Sequence, residues 1–501
     1  MMKQILMAVM LLWSATAISQ TAQDTVYVYL EDQPNGVFFL PAPPDTASAE
    51  YLDDLLQFQW GKTQRNTPRG HQASEESLWT PDAMRVVMAE ALGIDVISQD
   101  KTPALDRLLV KIYNTGNAST KASKEEYMRI RPFVQMNDPL WARYDDDFLR
   151  TNGSYPSGHT SFGWATALVF AEMWPELQDT ILRRGFQFGE NRVIVGAHYQ
   201  SDVTAGYLCA AASVARAHTN PELEKDILAA RAECARLKGL PEDYDPVTGA
   251  DVPYGERIVN DPVDTTSYRY ITDMTQYWKA KPLRYTERGK RAAAEAEYSV
   301  EMMCQVFGEA ANITLSAEKT PAIYDLLDTV LTKASETADR LKPIRFRKRP
   351  FVQLGEPSFV PGDEEKERGK SSFPSGHTNL GWTTALVMAE VAPEYQDEIL
   401  RRGYEYGYNR LIVGYHWFTD IEATRQVSAA LVARLHADPV FRDKIQKARA
   451  EFLQQRTIGV QSQRVDEQQP NSGRYYTLSG TQATLSTRGI VIHDSQKNVR
   501  R

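Results

Sequence analysis

Most of this chain is written twice, and that constrains its fold more than any other feature. KTPALDRLL from Lys101 returns as KTPAIYDLL from Lys319, and RPFVQ from Arg131 returns unchanged from Arg349. ILRRGFQFGENRVIVGAH from Ile181 returns as ILRRGYEYGYNRLIVGYH from Ile399, and all three pairs are offset by 218 residues. RNTPRG from Arg65 and RYTERG from Arg284 are offset by 219, so a single residue separates the two registers. A period this long is far above the roughly 20–50 residues of solenoid units. The repeat is a duplicated domain, which suits a chain of 501 residues too long for one core.

The segments outside the repeat set the domain expectation. Lys3, the apolar run ILMAVMLLW and the small residues SATAIS read as a secretory signal over 1–19. The first copy then covers 20–237, and a Pro-, Gly- and Asp-rich linker without helical periodicity covers 238–262. The second copy covers 263–455. A tail over 456–501, with GRYYTLSG, RGIVIHD and a basic terminus, reads as short β-segments and resembles the C-terminal sorting segments of some exported proteins. Beyond the signal no run reaches the roughly 18 apolar residues of a membrane span, so a protein without a span, periplasmic or outside the cell, is expected. Cys209, Cys234 and Cys304 form no even framework and are expected as buried thiols.

Inside each copy the pattern is helical. SFGWATALVFAEM and VTAGYLCAAASVARAHT are small-residue helices suited to close packing, and PELEKDILAARAECARL from Pro221 opens on proline with i, i+3, i+4 apolar spacing. The expected fold class is all-α: two tandem helical bundles followed by the β-like tail.

Three segments per copy carry polar residues that a helical core does not need. The first holds Lys124 and Arg131, repeated as Lys342 and Arg349. The second is the turn Pro156, Ser157, Gly158, His159, repeated as Pro374, Ser375, Gly376, His377. The third holds Arg192, His198 and Asp202, repeated as Arg410, His416 and Asp420. A phosphate ligand gives each residue a task. Ser157 and Gly158 stand where a helix N-terminus presents free N–H groups to an anion. Arg131 and Arg192 bring planar forks and Lys124 a point charge. His198 and Asp202 are spaced i, i+4, so on a helix the carboxylate is expected to accept the imidazole Nδ1–H and leave Nε2 as nucleophile. His159 is then the general acid for the leaving oxygen.

These segments, with YMRIRPF and NGSYPSGHTSFGWATALV quoted as they stand, resemble the signature of the phosphatidic acid phosphatase type 2 and vanadium haloperoxidase superfamily, and within it the bacterial class A nonspecific acid phosphatases. The resemblance implies an all-helical, metal-independent periplasmic enzyme that needs no cofactor and often works as a dimer. It implies an acid role for His159 and His377, phosphorylation of His198 and His416, and an orienting role for Asp202 and Asp420. The family writes Ser where this chain has Asn191 and Asn409; an amide still donates and accepts. Two fused copies of such an enzyme are expected to pack as an internal pseudo-dimer.

The expected function is hydrolysis of small phosphomonoesters at two sites per chain. The alternatives are a vanadate-dependent haloperoxidase, or one active copy beside a packing or binding copy. A net charge of −8, from 57 basic and 65 acidic residues, argues against nucleic acid as a partner.

Overall fold

A computed structural model describes residues 25–143, 147–247, 251–468, 476–477, 489–493 and 496–500, with side chains described as far as 457. The expected signal over 1–19 lies outside the described residues. Through Arg449 the chain clusters as one compact unit, and 450–501 as a second.

The first copy runs through α1 (Ala49–Gln64), α2 (Pro68–Glu75), α3 (Pro81–Leu92), α4 (Pro103–Ala118), α5 (Lys121–Tyr127), α6 (Gly158–Met173), α7 (Gln178–Val195), α8 (Gln200–Ala217) and α9 (Pro221–Leu237). The second repeats the order with α10 (Tyr270–Ala280), α11 (Glu287–Ala294), α12 (Val300–Ala310), α13 (Pro321–Leu341), α14 (Gly376–Val391), α15 (Gln396–Ile412), α16 (Phe418–Ala437) and α17 (Pro439–Gln468). The two repeats are thus all-α, as expected. Proline at the first helical position opens α4, α9 and α13, where its missing N–H costs no hydrogen bond.

The small-residue run is the centre of each bundle. Every residue of α6 is buried, and in α14 all but Gly376 and His377 are. A helix apolar on all sides must be surrounded: α6 packs against α4, α7 and α8, and α14 against α13, α15 and α16.

The copies also pack on each other. α6 meets α16 and α8 meets α14. At this junction the rings of His218 and His436, equivalent residues of the two repeats, stack with centroids 3.7 Å apart and planes 8° from parallel. The segment 238–262 is less loose than its composition suggests. Among its described residues Gly255–Ile258 forms a one-turn helix, and Ile258 and Val259 are buried. Asp179 of the first copy accepts from the Tyr254 N–H at 3.0 Å, and Arg340 of the second donates to the Val252 carbonyl at 3.1 Å. The apolar pair Ile258 and Val259 tethers a stretch whose prolines and glycines prevent a longer helix.

The three cysteines are buried free thiols. The last helix runs on to Gln468, past the expected end of the copy at 455. The tail expected to be β-like falls largely outside the described residues; the short pieces described there, 476–477, 489–493 and 496–500, pair with each other antiparallel.

Candidate active site

Each copy gathers its three segments around one histidine. α7 carries Arg192 in its last turn and ends at Val195, where Gly196, at φ +82°, takes the left-handed conformation that stops the helix. The chain then turns through His198 into α8. In the second copy Gly414, at φ +85°, leads to His416 in the same way. A side chain at Gly196 would also strike the Arg65 guanidinium, 2.6 Å from a placed Cβ. The positive φ is what calls for glycine here.

His198 is buried, and its Nδ1 lies 2.8 Å from the Ser154 carbonyl oxygen, to which it donates. This fixes the tautomer and leaves the lone pair on Nε2. Arg131 Nη1 faces that atom at 2.9 Å. The second copy repeats both contacts: His416 Nδ1 to the Ser372 carbonyl at 2.6 Å, and Arg349 Nη1 to His416 Nε2 at 3.1 Å.

The shortest contacts of Asp202 are not with the imidazole. His198 precedes α8 rather than lying on it, so the i, i+4 spacing is not a helical one. The Asp202 carboxylate is 3.6 Å from Nδ1. It instead accepts from the Tyr199 N–H at 2.8 Å, from the Ser154 hydroxyl, and from Arg129 at 2.6 Å. Asp420 does the same with Trp417 N–H at 3.0 Å, Ser372 Oγ at 2.5 Å and Arg347 at 2.6 Å. The aspartate fastens the loop whose carbonyl orients the histidine, in addition to its own longer approach to Nδ1.

Arg129 and Arg347 escaped the sequence reading. Arg129 bridges Asp202 and Asp54, the latter at 2.7 Å, and Arg347 bridges Asp420 and Asp273. All six are buried or nearly so. Against the cost of burial, Arg129 holds Asp202 well below the usual carboxylate range, while burial pushes Asp54 up to about 6.

The turn and the acid stand on α6 and α14. The Ser157 hydroxyl caps α6 by accepting from the Thr160 N–H at 3.3 Å, and Ser375 caps α14 identically. His159 Nε2 meets the Ser77 carbonyl at 3.0 Å with the Trp79 ring edge-on at 4.6 Å. His377 Nε2 meets the Ala296 carbonyl at 2.9 Å, with Tyr298 in place of the tryptophan. The two acids therefore have different aromatic neighbours. A Cβ on Gly158 would come within 2.7 Å of Trp79, whereas at Gly376 the nearest atom is 3.9 Å away.

Lys124, Arg131 and Arg192 are buried in the first copy and Arg349 and Arg410 in the second. Lys124 Nζ donates to the Gly153 carbonyl at 2.7 Å. In the second copy Lys342, Arg349, Gly376, His377, Arg410 and His416 line one cavity of about 720 Å³. Ser375 and Asp420 are buried and do not line it. Buried Nε atoms of Arg349 and Arg410 have no hydrogen-bond partner among the described residues, a donor set fitted to an oxyanion.

Asn191 and Asn409 turn out to hold that arginine in place. Asn191 Nδ2 donates to Glu76 at 2.7 Å, and the Glu76 carbonyl accepts from Arg192 at 3.1 Å. Asn409 donates to Glu295 at 2.6 Å, whose carbonyl lies 3.4 Å from Arg410. Glu76 and Glu295, further paired with Arg184 and Arg402 at 2.7 Å, were also missed.

Burial is the first cause of the histidine shifts, and neighbouring cations the second. His198 is pushed down to about 3, with Arg131 adding to burial and Asp202 opposing it. His159 falls well below its ordinary value, by burial and by Arg192; His377 and His416 behave alike, with Arg410 and Arg349. Lys342 is pushed down to about 8 by burial and by Arg349.

A cluster elsewhere has metal-type donors: Glu172, His218 and His436 bring ligand atoms within 4.8 Å of one another. The imidazoles are stacked face to face, so their lone pairs lie in parallel planes and one ion cannot lie in both. Glu172 approaches His218 at 3.2 Å inside the first copy and Glu390 approaches His436 at 2.9 Å inside the second, so each ring of the stack has a carboxyl neighbour from its own copy.

No helix among the described residues is long and apolar enough to cross a membrane. The PAP2 superfamily model matches residues 108–223 and 326–443. A non-specific acid phosphatase of Providencia stuartii is 40% identical over 219 residues, 44% of this chain and 88% of the relative. One from Salmonella typhimurium is 37% identical over 204 residues, 40% of this chain and 81% of its own length. An acid phosphatase of Zymomonas mobilis is 32% identical over 45% of this chain and 84% of its own. Matched once in each repeat, and aligned over most of the length of relatives about as long as a single copy, the chain belongs to the PAP2 superfamily.

Proposed function

We propose that this chain is an exported acid phosphatase with two catalytic sites, each hydrolysing phosphomonoesters through a phosphohistidine. The observation that carries the reading is the orientation of His198 and His416: each gives Nδ1–H to a backbone carbonyl and turns Nε2 toward an arginine fork. Nε2 attacks phosphorus, forming the N–P bond as the ester P–O bond breaks. His159 or His377 protonates the departing oxygen. Water, deprotonated by the same residue, then cleaves the N–P bond and releases phosphate. Lys124, Arg131, Arg192, Ser157 and Gly158 hold the phosphoryl oxygens in the first site; Lys342, Arg349, Arg410, Ser375 and Gly376 do so in the second. The packing of α6 on α16 and α8 on α14 supports an internal pseudo-dimer.

The sign of the pH dependence follows from the shifts. A nucleophile depressed to about 3 stays neutral far into the acid range. The acid, depressed in the free protein, must carry its proton in the complex, where the phosphate dianion offsets Arg192 and raises its pKa. Turnover is therefore expected at pH 5 and falls as pH rises, with the alkaline limb lying lower in kcat/KM than in kcat. Steady-state profiles with an aryl phosphomonoester test the reading. An optimum above pH 8 with activity lost below pH 6.5 contradicts it. With cations lining the cradle, EDTA should have no effect and vanadate should compete with substrate.

A further inference from the structure

The arginine of the second phosphate cradle carries a carboxylate. In the second copy Glu367 Oε2 lies 2.6 Å from Arg349 Nη2, while its other oxygen lies 2.8 Å from Lys370 Nζ. Arg349 is the same guanidinium that faces His416 Nε2. Glu367 ends a one-turn helix, Glu364–Glu367, and lines the cavity with His377, Arg410 and His416. Its side chain keeps 20% exposure, against 3% for Arg349, so the carboxylate can swing outward while the arginine cannot. The equivalent position of the first copy, 218 residues earlier, is Leu149, which is buried and brings no carboxylate.

A carboxylate and a phosphoryl group use a guanidinium fork in the same way, by paired N–H···O contacts. Glu367 occupies Nη2, so a phosphoryl group cannot take the Nε and Nη2 pair of Arg349 while the carboxylate stays. We propose that Glu367 is a specificity-determining residue of the second site: its carboxylate competes with the substrate phosphate for Arg349 and weakens the hold of this site on small phosphate anions. Binding requires the carboxylate to leave Arg349, and Lys370 stands ready to keep it charge-paired. The displaced charge stays near the cavity mouth, so the penalty falls on binding more than on the chemical step. The inference rests on the two-site reading above.

The test uses the full chain carrying His198→Ala, in which only the second site can be phosphorylated. Adding Glu367→Gln or Glu367→Leu should lower both KM for an aryl phosphomonoester and Ki for inorganic phosphate by about three- to fivefold, the upper end for a partly exposed ion pair. The change in kcat should be smaller. Calorimetric titration with inorganic phosphate should show the same tightening without reference to turnover. KM, Ki and the phosphate Kd all within twofold of the parent, or raised, overturn the proposal. If the His198→Ala chain hydrolyses nothing yet its phosphate Kd still tightens on Glu367→Gln, the competition stands and the catalytic reading of the second copy fails. If that chain neither hydrolyses nor binds phosphate, both fail, because Glu367 has nothing to compete with.

Discussion

His198→Ala and His416→Ala each leave the turnover of the other site, and only the double variant falls to background. The residues behind this expectation repeat in both identity and contact: each histidine has its carbonyl, its arginine and its aspartate-fastened loop. Removing a general acid alone costs about 10² to 10⁴ in rate, and losing the atom that bonds phosphorus costs at least that much. A site without its histidine is therefore silent on the scale of the other. With Glu367 raising KM of the second site, the His198→Ala chain should saturate at lower substrate once Glu367→Gln is added. Progress curves over a wide substrate range for the two single variants, the double variant and the chain with Glu367→Gln read this directly. If either single variant abolishes all hydrolysis while the chain stays folded, the remaining copy serves packing alone.

Arg129→Met is expected to damage both stability and the first site. It leaves Asp54 and Asp202 facing each other, buried, without the cation that bridges them at 2.7 and 2.6 Å. Removing one partner of a buried ion pair typically costs about 3–5 kcal/mol, seen as a lower denaturation midpoint. Asp202 would gain protons, the Ser154 hydroxyl would lose a charged acceptor, and the carbonyl holding His198 Nδ1 would no longer be fixed. In a His416→Ala background kcat should fall by more than KM rises. Arg129→Lys keeps the charge but not the fork that spans two carboxylates, so it should recover part of the stability and little of the rate. Equal losses of stability and activity in Met and Lys would mean that only packing matters here.

The site's composition could be read from sequence because it depends on short motifs written twice. The wiring could not. His198 and Asp202 looked like a helical pair because spacing does not reveal that α8 begins at Gln200, between them. Arg129 sits two residues before Arg131 and resembles any exposed arginine until Asp54, 75 residues away, is brought beside it. Glu76 was hidden in the same way, 116 residues from the arginine its carbonyl supports. A usable signal did exist: Arg129 and Arg347 share the 218 offset, and Asp54 with Asp273 and Glu76 with Glu295 share the 219 offset. The direction of the histidine shifts depends on burial, which no local pattern reports. The tether through Ile258 and Val259 was masked by the surrounding Pro, Gly and Asp.

Trapping the intermediate tests the account most directly. The full chain is mixed with a labelled phosphomonoester, quenched in alkaline denaturant where an N–P bond survives, digested and mapped. The account predicts acid-labile phosphate on two peptides, one carrying His198 and the other His416, each lost in its own alanine variant. Acid-stable phosphate on Ser157 or Ser375, or label on an aspartate, would contradict it.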